Sequence, residues 1–245
     1  MEPLIVNQKP EYEPPLFRPA PQAGYLYLAA AVAPPAGPPF VRHDARRAAL
    51  LARLKQRGHQ LTELPEVEAV SVFRAILVPP AGRGARHPAR YDVAVLIETD
   101  SPASLDAVRA APAYQQMLAT LQARARDVNV MAASCLRYIG PVDHSKQGLF
   151  LFNHFEAPDA DTGVVTGLWE HLAGWYVAET GLDNSELLAP IGDHADYVFV
   201  NHARWDKSLP RLAVEQFARK SFRSYVRANL RANQVIAMPV LCRLA

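Results

Sequence analysis

Met131-Ala-Ala-Ser-Cys135 and Met238-Pro-Val-Leu-Cys242 carry the same Met-to-Cys spacing, each inside an apolar run that reads as a strand. Upstream of each run the same landmarks return in the same order. Tyr91…Asp100 and Tyr197…Asp206 both lead from an aromatic strand opening to an Asp before a helix. Tyr114 and Phe222 fall in the middle of the long helix that follows, and Ala33-Pro34 and Ala157-Pro158 close the first strand of each half. Each match is slight alone; together they indicate an internal duplication.

The hydrophobic period gives each half the same element order. In the first half, 24–33, 67–78, 91–98 and 128–138 are rich in aromatic and β-branched residues and end at proline or glycine signals, so they read as strands. Residues 44–57 carry apolar side chains at helical spacing, with Gly58 as a stop signal. Asp100-Ser101-Pro102 starts a second helix to about Arg126, with a break or kink at Pro112. In the second half, 149–155, 186–191, 197–203 and 234–244 read as strands, and 164–180 and 208–232 as helices, with Gly181 at the position that favours a left-handed cap. Both halves are βαββαβ. The expected organisation is a Pro-rich arm over 1–23, one repeat over 24–140 and a second over 148–245. The arm has six prolines by Pro21 and reads as extended chain without regular structure, free, wrapped over the body or packed on a partner subunit.

Composition bounds the function. Half of the 245 residues are hydrophobic and 20% are charged, which describes a folded chain. A net charge of +2 argues against a nucleic-acid binder. The longest apolar stretch, 25–33, is far short of the ~20 residues that span a bilayer, and without a basic n-region followed by an apolar h-region neither secretion nor membrane insertion is expected. Two cysteines make no disulfide framework, so a reducing cytoplasmic setting is expected and Cys135 and Cys242 read as inert core thiols. No HxxxH, HExxH or CxxC spacing occurs, so no metal site is expected.

The βαββαβ order and its duplication resemble the dimeric α/β-barrel superfamily, over about residues 22–245. That superfamily includes antibiotic-biosynthesis monooxygenases, stress-responsive barrel proteins, heme-degrading monooxygenases and chlorite dismutase-like proteins. The resemblance implies an α+β fold of two tandem ferredoxin-like repeats, closing within one chain the barrel that relatives build from two. The first and third strands of each repeat are expected to be central, adjacent and parallel.

The halves differ in polarity at matched places. Asn153-His154 and Asn201-His202 sit mid-strand where the first half, aligned on its landmarks, has Ala29-Ala30 and Val95-Leu96. Alternation puts each Asn and its neighbouring His on opposite faces. Buried polar side chains need partners, so these four point to a polar pocket in the second half or to cross-strand bonds that fix register. An imidazole can move a proton near neutral pH and an amide can hold a developing oxyanion. The candidates are therefore His154 or His202 as base and Asn153 or Asn201 as stabiliser, with Trp169, Trp175, Tyr176, Tyr197 and Trp205 as aromatic walls for a planar small molecule. His171 reads as a boundary residue of its helix, and His144 and His194 as surface turns. Arg219, Arg223, Arg227 and Arg231 form a solvated helix stripe, and Arg83, Arg86, His87 and Arg90 a surface loop.

The resemblance implies cofactor-independent oxidation or isomerisation of an aromatic or polyketide-like compound; a non-catalytic ligand-binding or stress-response protein is the alternative. Heme is the rival cofactor. Heme-degrading relatives use an Asn on the first strand, a Trp, and a His on the second helix; Asn153 and Trp205 match the first two, but neither 209–232 nor 103–126 contains a His. The intrachain barrel removes the need to dimerise, while the arm and aromatic surfaces leave room for a homodimer.

Overall fold

The computed structural model describes residues 2–82, 84–157, 160–192 and 195–245; Arg83, Pro158, Asp193 and His194 of the stretches above lie outside these. The first half runs β1 (Gly24–Ala31), α1 (Ala45–Leu61), β2 (Val67–Leu77), β3 (Val93–Thr99), α2 (Leu105–Ala110), α3 (Pro112–Gln122) and β4 (Asp127–Gly140). The second runs β5 (Leu149–Glu156), α4 (Thr162–Thr180), β6 (Ser185–Pro190), β7 (Phe199–Trp205), α5 (Leu209–Phe217), α6 (Ala228–Ala232) and β8 (Ile236–Leu244). The strands close into one barrel, β1-β3-β2-β8-β5-β7-β6-β4, in which each half contributes the order 4-1-3-2. The seams are β2–β8 and β4–β6.

The duplication is thus realised as two ferredoxin-like sheets joined edge to edge. Every pairing is antiparallel, including β1–β3 and β5–β7, so the expected parallel pairing is corrected. A split βαβ unit leaves a gap between two parallel strands, and the third strand fills it running the other way. The period of two separates three cores. Tyr25, Tyr27, Phe73, Phe150, Phe152, Met131, Met238, Cys135 and Cys242 point into the barrel. Leu26, Leu28, Val93, Val95 and Ile97 point out against α1–α3, and Leu151, Phe155, Phe199 and Ala203 point out against α4 and the last helices.

Three local expectations change. The first helix runs through Gly58 to Leu61; a side chain at Gly58 would lie 3.1 Å from Val70, so this glycine serves close helix–strand packing and is not a stop. The break before Pro112 is present. The expected helix over 208–232 is interrupted after Phe217, and Phe222–Arg227 form a π-helical turn before α6. The Tyr225 carbonyl accepts from Ala228 N at the end of this turn and also from the buried Asn229 amide, at 2.9 Å.

The same Asn229 holds the N-terminal arm. Its Oδ1 accepts from Val6 N and its Nδ2 donates to Val6 O, and one turn on Asn233 makes the same pair of bonds to Leu4. Two amides at i and i+4 thus grip alternate backbone units of an extended chain, as a neighbouring strand would. Tyr12, in a 3₁₀ turn over Pro10–Tyr12, packs against Tyr225 with ring centres 4.9 Å apart and the planes tilted, and donates to Glu179. Gly174 lets the arm lie flat on α4, since a Cβ there would collide with the Glu13 carbonyl. The arm wraps over the second helix layer and carries one turn of regular structure.

In the first half, Asp92 is fully buried. It accepts from Val32 N and Ala33 N and pairs with Arg47 of α1 at 2.8 Å, tying the end of β1 to the first helix.

Candidate functional site

His154 and His202 share the barrel interior, while Asn153 and Asn201 face each other on the outer surface of the β5–β7 pair. The cause is alternation: the His are inward because their neighbours Phe152 and Val200 are. Asn201 accepts from Ser185 Oγ at 2.5 Å, whereas the Asn153 Oδ1 has no partner. Trp169, Trp175, Tyr176 and Trp205 lie with the Asn, between sheet and helices, where Trp175 donates to Ser221 and Trp205 to Thr180. Only Tyr197 joins His154, at 4.8 Å between ring centres. The aromatic walls and the two His therefore sit on opposite faces of one sheet. The inward set also fixes the alignment of the halves: Ala30 points outward and His154 inward, so they are not equivalent positions.

Neither interior His has a free ring nitrogen. His154 Nδ1 faces the Met238 carbonyl at 3.2 Å, which can only accept, so its Nε2 accepts from the Tyr27 hydroxyl at 3.0 Å. His202 Nδ1 likewise donates to the Leu151 carbonyl at 3.0 Å. Burial pushes His154 down to about 4 and His202 well below the usual imidazole range, so both are neutral.

The open space lies at one mouth of the barrel. Two neighbouring cavities of about 210 and 250 Å³ share Ala195, Asp196 and Tyr197; Asn129 and Met131 line the first, Arg86, His87 and Glu156 the second. Glu156, the last residue of β5, points inward and accepts from Arg86 N and His87 N, which pins residues 84–90 over the mouth. Tyr197 Oη donates to the His87 carbonyl, so it accepts from Tyr91 at 2.9 Å. Burial raises both phenols, so they remain donors.

Three residues at this mouth form a chain with the geometry of an oriented base. Asn129 Nδ2 donates to Asp196 Oδ2 at 3.0 Å, and His87 Nδ1 lies 3.2 Å from Asp196 Oδ1. A carboxylate facing Nδ1 selects the tautomer that carries its proton there and leaves Nε2 as the basic nitrogen. His87 is half exposed, and Arg86 has no ion pair among the described residues. The Asn129 Oδ1 is a buried acceptor without a partner. None of Asn129, His87 or Asp196 was a sequence candidate. His87 was visible only as part of a basic loop, and Asn129 as a polar residue at a strand start.

The opposite mouth holds a second polar group. The registers set Tyr25 beside Glu98 and Glu186 beside His202, all inward. His144, from the 141–148 linker, reaches in to bond both Glu98 and His202, so it is no surface turn.

Among the described residues no His, Cys, Asp and Glu cluster has the arrangement of a metal site. Neither interior His is free to ligate a heme. Both imidazoles are bonded at both nitrogens.

No family model and no curated protein matches this chain. Solved structures do. An anthrone oxidase-like protein superposes with a TM-score of 0.64 at 9% identity, over 91% of each chain. A candidate monooxygenase of Fusobacterium nucleatum gives 0.52 at 9% identity over 93% of each chain. Another, of Lactobacillus acidophilus NCFM, gives 0.50 at 9% identity over 91% of this chain and 93% of that one. At such identity the likeness is one of fold: a closed eight-stranded barrel with both ferredoxin-like sheets in one chain.

Proposed function

We propose that this barrel binds a small, planar, enolisable organic acid at the Tyr197 mouth and moves a proton on it without a cofactor. The observation that carries this is the Asn129–Asp196–His87 chain, an oriented imidazole on a residue that lines a cavity. His87 would take a proton from an acidic carbon or hydroxyl, as a positioned imidazole does near neutral pH. Arg86 supplies a charge for the carboxylate or the enolate, and the orphaned Asn129 Oδ1 accepts from a substrate hydroxyl. His154, directly behind Tyr197, orders the interior through Tyr27 and supports the mouth. Asn201 bonds Ser185 on the outer face of the sheet, His202 bonds His144 toward the other mouth, and the tryptophans pack in the helix layer.

Proton removal is common to two outcomes. If the proton returns at another atom the enzyme is an isomerase; if the carbanion passes electrons to dioxygen it is an oxidase or monooxygenase, the class of the superfamily members that the sequence resembles. Phenylpyruvate, which is planar, anionic and enolisable, is the probe. Exchange of its C3 hydrogens in D₂O should be accelerated by the wild type, and His87→Ala should lose a factor of ~10²–10⁴, the usual worth of a positioned base. An oxygen electrode run in parallel separates isomerase from oxidase. Equal exchange rates for wild type and His87→Ala, with unchanged near-UV circular dichroism, would remove His87 from the role. Saturable binding without exchange would identify a ligand carrier.

A further inference from the structure

The two cavities at the Tyr197 mouth offer a ligand different chemistry. The second carries Arg86 and His87; the first sets Asn129 and Asp196 beside apolar residues of β4. Asn129 points into the barrel with Met131, Ala133 and Cys135, and is 7% exposed. Its cross-strand neighbour is Ala29, which has no donor to give it. A carboxylate only accepts, so the amide nitrogen is the atom that faces Asp196 Oδ2 at 3.0 Å, and the amide oxygen is turned away from it. That oxygen is buried without a partner. The tyrosines of the shared wall do not serve it, because Tyr91 donates to Tyr197 and Tyr197 donates to the His87 carbonyl. A buried acceptor left unpaired weakens binding, and a donor on the ligand restores it. We propose that the first cavity is a hydroxyl-reading subsite: the ligand carries a neutral hydroxyl at the end away from its acid group, and Asn129 Oδ1 accepts from it. This deepens the assignment of the mouth as an acid site, and rests on it.

The subsite selects on charge as well as on hydrogen bonding. Asp196 is the one charged side chain lining the first cavity among the described residues, so a second carboxylate placed there would face a like charge with no cation to offset it. Asp196 is held where it is, one oxygen by the Asn129 amide and the other facing His87 Nδ1 at 3.2 Å. An ether or keto oxygen would set one acceptor against another, and a hydrogen or methyl group would leave Oδ1 unpaired. A hydroxyl completes the group. Because a single carboxylate positions both the amide and the imidazole, the acceptor for the hydroxyl and the base for the proton are fixed together. The ligand therefore spans the wall the cavities share, its acid at Arg86 and its hydroxyl at Asn129. The substrate class is a planar hydroxy acid with the two groups at opposite ends, and dicarboxylic acids are excluded.

Acids that cannot enolise separate this subsite from proton transfer. The probes are 3-phenylpropionate and its 4-hydroxy, 4-methoxy and 4-carboxy derivatives, titrated calorimetrically into the whole protein. The 4-hydroxy acid should bind at least about tenfold more tightly than the unsubstituted and 4-methoxy acids, and the 4-carboxy acid most weakly. In Asn129→Leu the advantage of the hydroxyl should vanish. If Asn129 only braced Asp196, the variant would weaken all four acids together and leave their ratios as they were. Equal wild-type affinities for the hydroxy and methoxy acids, or a hydroxyl advantage that survives Asn129→Leu, would overturn the subsite. The wild-type series decides alone should Asn129→Leu fail to fold. In either failure, His87-dependent exchange of phenylpyruvate would leave the acid site standing without the subsite; no binding of any of the four acids together with no exchange would remove both.

Discussion

Glu186→Gln should stabilise the protein, by an amount that grows with pH. The carboxyl is buried, its Oε2 has no partner, and burial together with the nearby charge of Glu98 raises it from 4.5 to about 8. A raised acid favours folding only while protonated: its contribution is complete below 4.5 and is lost as pH climbs to about 8. At about 1.4 kcal/mol for each pH unit, the cost is about 3 kcal/mol at pH 7 and approaches 5 kcal/mol above pH 8. Glutamine does not titrate, and its carbonyl can still accept from Val142 N, the bond Glu186 accepts now. Urea denaturation of both proteins at pH 5, 7 and 8.5 gives the difference directly, provided the denaturant slopes agree. The gap should widen from about 1 kcal/mol relative to the acid limit to several. A gap that stays constant across the three pH values would mean that Glu186 ionises freely and that its surroundings are wet. Adding Glu98→Gln should shrink the gap, since the neighbouring charge is the second cause of the shift.

Other consequences concern other parts of the molecule. His154 is pushed down to about 4 from 6.5, so the protein should lose about 3 kcal/mol between pH 6.5 and 4, and thermal melts of His154→Phe should lack that part of the acid slope. Arg47→Met leaves the fully buried Asp92 without its cation and should cost about 3–5 kcal/mol in chemical denaturation; a loss under 1 kcal/mol would show that the two backbone donors suffice. Gly174→Ala places a methyl on the Glu13 carbonyl and should free the arm, seen as rapid proteolysis within residues 2–18 while the barrel resists. Protection of the arm equal to wild type would mean that α4 shifts instead.

The fold was legible because strands announce themselves locally. Apolar runs, proline stops and the Met–Cys spacing mark eight strands, and Met131 and Met238 do point inward together. The alignment of β1 with β5 slipped by one because it rested on Ala-Pro pairs after the strands, and loops do not preserve parity as ladders do. The site was legible only in part for a related reason. Asn129, Glu98 and Glu186 sit near strand ends, where a polar residue reads equally well as exposed or as inward-facing; the barrel's closure decides. His144 is in a linker, and nothing local tells whether a linker crosses a mouth or passes beside it. The interior His were found as mid-strand anomalies, but their bonding needed the register, which sets Phe152 opposite His202.

Joining the two sheets covalently also breaks a symmetry. Tyr91 and Tyr197 are matched landmarks of the two halves, and their hydroxyls meet at 2.9 Å, so they lie at the pseudo-twofold axis. In a barrel of two identical chains such a pair would be degenerate, with either hydroxyl as donor. Here the His87 carbonyl takes the Tyr197 proton and fixes the direction. Likewise Glu98 and Arg204, each two residues before a matched aspartate, would be forced to appear as two like charges at one mouth of a homodimer. A single chain can carry one of each, so a mutation alters one side of the barrel and leaves its counterpart unchanged.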